Sequence, residues 1–211
     1  MKNEFLTKVF KWFSLGLLVT FLVAIYTCTN INLLTLIFYH NGYLIITIAE
    51  LFLAIWLSTR IHKMKSSTTK ILYIAYSALT GLTLSSIFII YELTSIIWIF
   101  LASALVFIIF AYLGKTDKFD LSKYGTYLGI ALLAAIILEI INIFLLNNTL
   151  DIILCIFILC IFVAYVAYDV QKIIKHYHET ENMAVIGAFN LYLDFINIFI
   201  RLLRLFGKER N

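Results

Sequence analysis

Apolar residues fill this chain in long blocks, and the charges fall mostly between the blocks. Asp, Glu, Lys and Arg are absent from residues 12–49, 71–91, 93–114, 124–138 and 152–168. About 18 uninterrupted apolar residues already suggest a helix that spans a bilayer. The pattern predicts seven spans, at roughly 10–31, 43–61, 69–91, 93–114, 123–146, 150–174 and 183–206. The second is blurred at its start, because residues 31–39 are also apolar. His40-Asn41-Gly42 is the turn signal that ends that stretch. The expected architecture is an all-α polytopic membrane protein, one seven-helix domain over residues 1–211.

Composition strengthens this reading. The chain is 63% hydrophobic and 13% charged, with mean hydropathy +1.00. A soluble domain carries about 25% charged residues, so there is no room for a sizeable soluble part. The first apolar run follows Lys8 and Lys11 with no evident cleavage site, and is read as the first helix and not a leader. Cys28, Cys155 and Cys160 lie in apolar runs without metal or disulfide spacing, and are read as packing residues. Proline is absent, so bends must come from glycine, Ser/Thr or loops. Gly16, Thr20 and Ala24, then Ala78, Gly81 and Ser85, and the GxxxG of Gly125 and Gly129 mark faces where helices can approach closely.

Charge then orients the spans. Lys2, Lys8 and Lys11 precede the first. Arg60, Lys63, Lys65 and Lys70 follow the second, Lys115, Lys118 and Lys123 the fourth, and Lys172 and Lys175 the sixth. The three alternate loops hold no Lys or Arg, which predicts a cytoplasmic N-terminus. Arg201, Arg204, Lys208 and Arg210 break the pattern. Either the last helix crosses and its arginines serve another purpose, or it re-enters and returns. Crossing is the expectation.

Acids inside the spans carry the candidate chemistry. Asp194 is the only charge in residues 183–200, and a carboxylate at bilayer depth costs about 2.5 kcal/mol or more. Gly187, Asn190, Asp194, Asn197, Arg201 and Arg204 recur at helical spacing, forming one polar stripe on an apolar helix. Asp169 follows 17 uncharged residues in span six, about 9 Å from the lysine-flanked end. Asp194 lies about 10–16 Å deep from the same side, so the two acids can meet. Two adjoining carboxylates in low dielectric cannot both ionise cheaply; they titrate as a unit and can share one proton near physiological pH. Glu50 in span two and Glu139 in the outer half of span five are candidates for an ion path, and Arg60 could reach an inner-half carboxylate such as Asp169. Glu92 and Asp151 are read as solvated loop charges at the outer mouth. The four histidines fall in loops or at helix ends, and His176-Tyr177-His178 beside Glu179 is weak metal spacing. No Ser nucleophile elbow, HExxH or CxxC occurs, so no enzymatic activity is expected.

Three segments resemble the transmembrane Bax inhibitor motif family: LYLDFINIFIRLLRLFG at 191–207, ALTGLTLSSIFIIY at 78–91 and AYDVQKI at 167–173. The resemblance implies a seventh helix that is central and surrounded by the other six. It also implies a pH-dependent calcium leak with a di-aspartyl sensor, matched by Asp169 and Asp194, and makes these two acids the candidate contacts for calcium as the transported ion. Glu50 and Arg60 match an acid and a latch arginine less closely. The short, uncharged first loop departs from the family pattern.

The leading expectation is therefore a proton-gated cation leak in a bacterial plasma (inner) membrane, the source suggested by the Ile-, Phe-, Lys- and Asn-rich composition. Lipid, calcium and protons are the expected partners. A monomer, no cofactor and no nucleic acid are expected. A non-conducting regulator that binds another membrane protein, such as a membrane protease, and a proton-coupled solute transporter are the alternatives.

Overall fold

The computed structural model describes residues 2–39, 42–60, 64–116, 120–175 and 180–210, with the side chains of residues 2, 3 and 39 left aside. The expected turn at His40-Asn41 and the residues Lys63, Lys118 and Glu179 lie outside them, as do all the histidines. The order of helices is α1 (Lys2–Thr29), α2 (Ile31–Tyr39), α3 (Gly42–Arg60), α4 (Ser66–Leu84), α5 (Ile87–Ile90), α6 (Leu93–Lys115), α7 (Gly125–Leu145), α8 (Asn148–Lys175) and α9 (Glu181–Phe206). A 3-10 turn at Leu121–Lys123 precedes α7. Among the described residues, seven helices or helix pairs are long and apolar enough to cross a membrane. A helix satisfies its own backbone polar groups where lipid offers none.

The boundaries differ from the pattern in three places. The first helix starts at Lys2 and not near residue 10, because its amphiphilic first turns continue the apolar run. Residues 31–39, ambiguous in sequence, form the separate helix α2. The third span breaks between α4 and α5. There Ser85 and Ser86 turn their hydroxyls back onto Leu82 O and Thr83 O, at 2.7 and 2.8 Å. With no proline to make a bend, serine supplies it.

The chain folds as two compact units. The first comprises Met1–Leu93, His178–Tyr192 and Glu209–Asn211; the second comprises Thr94–Tyr177 and Leu193–Lys208. In the first, α1 packs on α4 through the small residues named above. A Cβ on Gly81 would stand 2.7 Å from Thr20 O, and one on Gly16 would collide with the Tyr73 hydroxyl. Thr20 Oγ1 donates to Ser77 O at 2.9 Å and lies 2.6 Å from the Tyr192 hydroxyl. Tyr73, Tyr76, Phe189 and Tyr192 close this core edge to face.

In the second unit, Phe195 stacks edge-on against Phe100 and Phe107. The GxxxG glycines serve side chains and not a bare backbone approach: the Tyr168 hydroxyl lies against Gly125 and the Tyr165 hydroxyl near Gly129. The close backbone contact falls elsewhere, at Gly114, where a Cβ would stand 2.2 Å from Ala167 O. Gly114→Ala must push α6 off α8, and a loss of about 1–3 kcal/mol is expected. A lowered melting temperature of the purified protein would register it, and an unchanged one would contradict the contact. Leu146 ends α7 in the left-handed region at φ 51°, where a branched residue is uncommon. Asn142 and Asn147 exchange hydrogen bonds of 3.1 and 3.3 Å across that turn.

Of the cysteines, Cys155 is buried as expected, while Cys160 is exposed on α8; all three are free thiols.

Candidate functional site

Asp169 and Asp194 both belong to the second unit, and they are 7% and 4% exposed. The charge of Asp169 reaches Asp194, and both reach the Tyr165 hydroxyl one turn before Asp169. Lys172, in the last turn of α8, also acts on Asp169. Among the described residues, the buried Oδ2 of Asp194 accepts no hydrogen bond. An ionised oxygen held that way is costly, whereas a protonated carboxyl can donate to a neighbouring acid. No group of three or more His, Cys, Asp or Glu that could hold a metal is gathered among the described residues. Calcium prefers six to eight oxygens, so at Asp169 and Asp194 it would keep most of its water.

The end of the second unit where α7 finishes and α8 begins holds paired charges. Arg201 makes a two-pronged contact with Glu139, one prong of 2.9 Å. Arg204 lies 3.9 Å from the same carboxylate and grips Asp151 with 2.5 and 2.6 Å bonds. Cys155 Sγ adds a contact to Arg201 O at 3.7 Å. Asp151 is therefore an ion-pair partner and not a free loop charge. Glu139, named for the ion path, is held by an arginine.

These pairs also fix the course of α9. Its C-terminal arginines meet the first turn of α8, so within the second unit the two helices run antiparallel. In the first unit, Asn182 donates to Met64 O before α4 and Glu181 pairs with Lys70. Past the helix end, Arg210 N–H donates to Ile90 O at the far end of α5. Within the first unit the chain of the last helix thus passes from the start of α4 to the end of α5 and does not turn back. The arginines that break the positive-inside pattern are the partners of Glu139 and Asp151, and Arg210 also reaches Phe88 O.

Of the remaining sequence candidates, Glu50 is half-buried in the first unit and accepts from Thr80 at 2.5 Å and Thr83 at 3.2 Å. Arg60 is the exposed last residue of α3. In the stripe, Asn190 is half-buried, and Asn197 donates to Leu193 O of its own helix at 2.8 Å. The threonine partners of Glu50 went unread in the sequence, although Thr80 and Thr83 share one face of a span at i, i+3.

The lysine-flanked end of the second unit carries a further ion pair. Asp120 accepts from Ser122 Oγ at 2.7 Å and from Lys175 at 3.0 Å. The Ser122 hydrogen bond, then that of Lys175, pull its carboxyl down to about 2. The sign follows: stability from this contact is present above the ordinary carboxylate range near 4 and is lost as pH falls toward 2. Asp120 is ionised throughout pH 6–8 and contributes nothing to pH dependence there.

Seven membrane-length helices, with buried acids and with arginine–carboxylate pairs at one end of the second unit, define a polytopic membrane protein. The family described as "Inhibitor of apoptosis-promoting Bax1" matches residues 2–211, and the chain belongs to it. Inner membrane protein YbhL of Escherichia coli (strain K12) is 38% identical over 218 aligned residues, covering 99% of this chain and 93% of that protein. An uncharacterized protein of Borreliella burgdorferi is 38% identical, covering 100% and 94%. An uncharacterized membrane protein of Streptococcus pyogenes serotype M6 is 36% identical over 143 residues, 65% of this chain and 62% of that one. The names of the Escherichia coli and Streptococcus pyogenes relatives agree with the seven helices in giving a membrane location.

Proposed function

We propose that this protein is a pH-gated cation leak that passes calcium across a bacterial inner membrane, with its N-terminus cytoplasmic. Asp169 and Asp194 share a proton, and its loss or gain shifts the gate. The observation that carries the reading is the pair itself: two acids buried in adjacent membrane helices, with one carboxylate oxygen left without a donor among the described residues. A purely structural polar group would be expected to find its hydrogen bond. Arg60, at the end of α3, is the latch arginine of this reading. Glu50, screened by two threonine hydroxyls, is the better placed ion-path residue; Glu139 would have to release Arg201 first.

Reconstitution into liposomes holding a calcium dye tests the function. Calcium entry that differs several-fold between pH 6 and pH 8 is expected. Equal entry at the two values would overturn the gating. No entry above protein-free liposomes would favour the other reading, a non-conducting regulator that binds a second membrane protein.

A further inference from the structure

The lysine-flanked end of the second unit contains a cavity of about 200 Å³ lined by Ser122, Tyr168, Gln171 and Lys172. Neither Asp169 nor Asp194 is among these lining residues. The geometry points to a binding site for a phosphate-bearing anion, occupied in the membrane by the headgroup of an anionic lipid.

The cavity is built and not incidental. Gln171, on α8, is 2% exposed, and its Oε1 accepts the Leu121 N–H at 2.6 Å, which fixes the 3-10 turn as one wall. Asp120 ties that turn to Lys175 and also takes the Ser122 hydroxyl. Asp120, beside the lining residue Ser122, is thus paired with Lys175. Lys172 sits 5.8 Å from the centre of the Tyr168 ring, and Tyr168 is backed by Gly125. No carboxylate of the described residues lies within ion-pair distance of Lys172. The Ser122 hydroxyl is spent on Asp120, so the lining offers phosphate oxygens the Lys172 ammonium and the Tyr168 phenol as donors.

Depth identifies the occupant. Tyr112 near the end of α6 and Tyr124 and Tyr127 at the start of α7 are 66%, 55% and 70% exposed. Exposed tyrosines beside the lysines at positions 115 and 123 mark the headgroup layer of a membrane surface. Basic pockets between helices at that depth take acidic lipid headgroups.

Native mass spectrometry of the full-length protein, titrated with phosphatidylglycerol or phosphatidylcholine, tests the site. The wild type is expected to retain phosphatidylglycerol in preference. Lys172→Ala should weaken it about fivefold, the effect of one lysine near an acidic surface, while Lys65→Ala in the first unit should not. Equal losses in the two variants, or no preference between the lipids, would overturn the proposal. A wild-type complex displaced by millimolar inorganic phosphate would support the site but make free phosphate its occupant; a complex unmoved by phosphate would support the lipid. The readout is independent of calcium flux, so it stands or falls apart from the gating.

Discussion

Asp194→Asn is expected to abolish the pH dependence of calcium entry while leaving the protein folded. Asparagine keeps the shape of the side chain and removes the exchangeable proton. One shared proton changes its occupancy ratio tenfold per pH unit, so two units bound the wild-type response at about 100-fold. The variant should vary by no more than about twofold over pH 6–8. Asp169→Asn should do the same, because a proton-sharing pair fails when either member is lost. If both variants keep the wild-type profile and only their melting temperatures move, the pair is a packing feature and the sensor lies elsewhere. Asp120 cannot be that other sensor, since it titrates far below this range.

The second large effect concerns stability. Arg201→Met should cost about 3 kcal/mol, read as a lowered melting temperature. Arg201 and Glu139 have side chains only 14% and 24% exposed, and removing one partner of such a pair leaves the other charge uncompensated. Arg204, 3.9 Å from Glu139, holds the loss to the low end of the usual range. Adding Glu139→Gln to Arg201→Met should recover most of it, because removing both charges of a buried pair is often close to neutral. Arg204→Met should cost under about 1 kcal/mol, since that arginine and Asp151 are 44% and 34% exposed and exposed pairs contribute little. A double variant no better than the single one would mean that Arg201 acts through packing and not through Glu139.

Much of the fold was legible because the bilayer simplifies the code. Apolar runs of the required length can do little except form helices, and seven runs became seven spans. Asp169 and Asp194 were legible for the same reason: a charge in such a run is conspicuous. Asp151 was misread as a solvated loop charge because nothing local marks its partner, which lies 53 residues away. Counting residues back from the α7–α8 turn would have placed Glu139 about 10 Å deep, level with the arginines of α9, but depth alone does not say which helices adjoin. The break at Ser85-Ser86 was hidden for another reason. Serine is compatible with an unbroken helix, and only its hydroxyl choosing a carbonyl of the preceding turn reveals the bend.

The sequence by itself determined the number of spans, the lysine-rich and lysine-free ends, and the presence of acids where lipid would forbid them. These follow from transfer free energies, which depend on each residue and its neighbours along the chain. The tertiary structure decided that α9 runs its full length from Met64 and Lys70 to Ile90, that its arginines neutralise Glu139 and Asp151, and that Asp194 keeps an oxygen without a donor among the described residues. Pairing energies depend on distances between helices, and those distances are set by close contacts such as Gly81 on Thr20 and Gly114 on Ala167, which no stretch of one helix specifies alone.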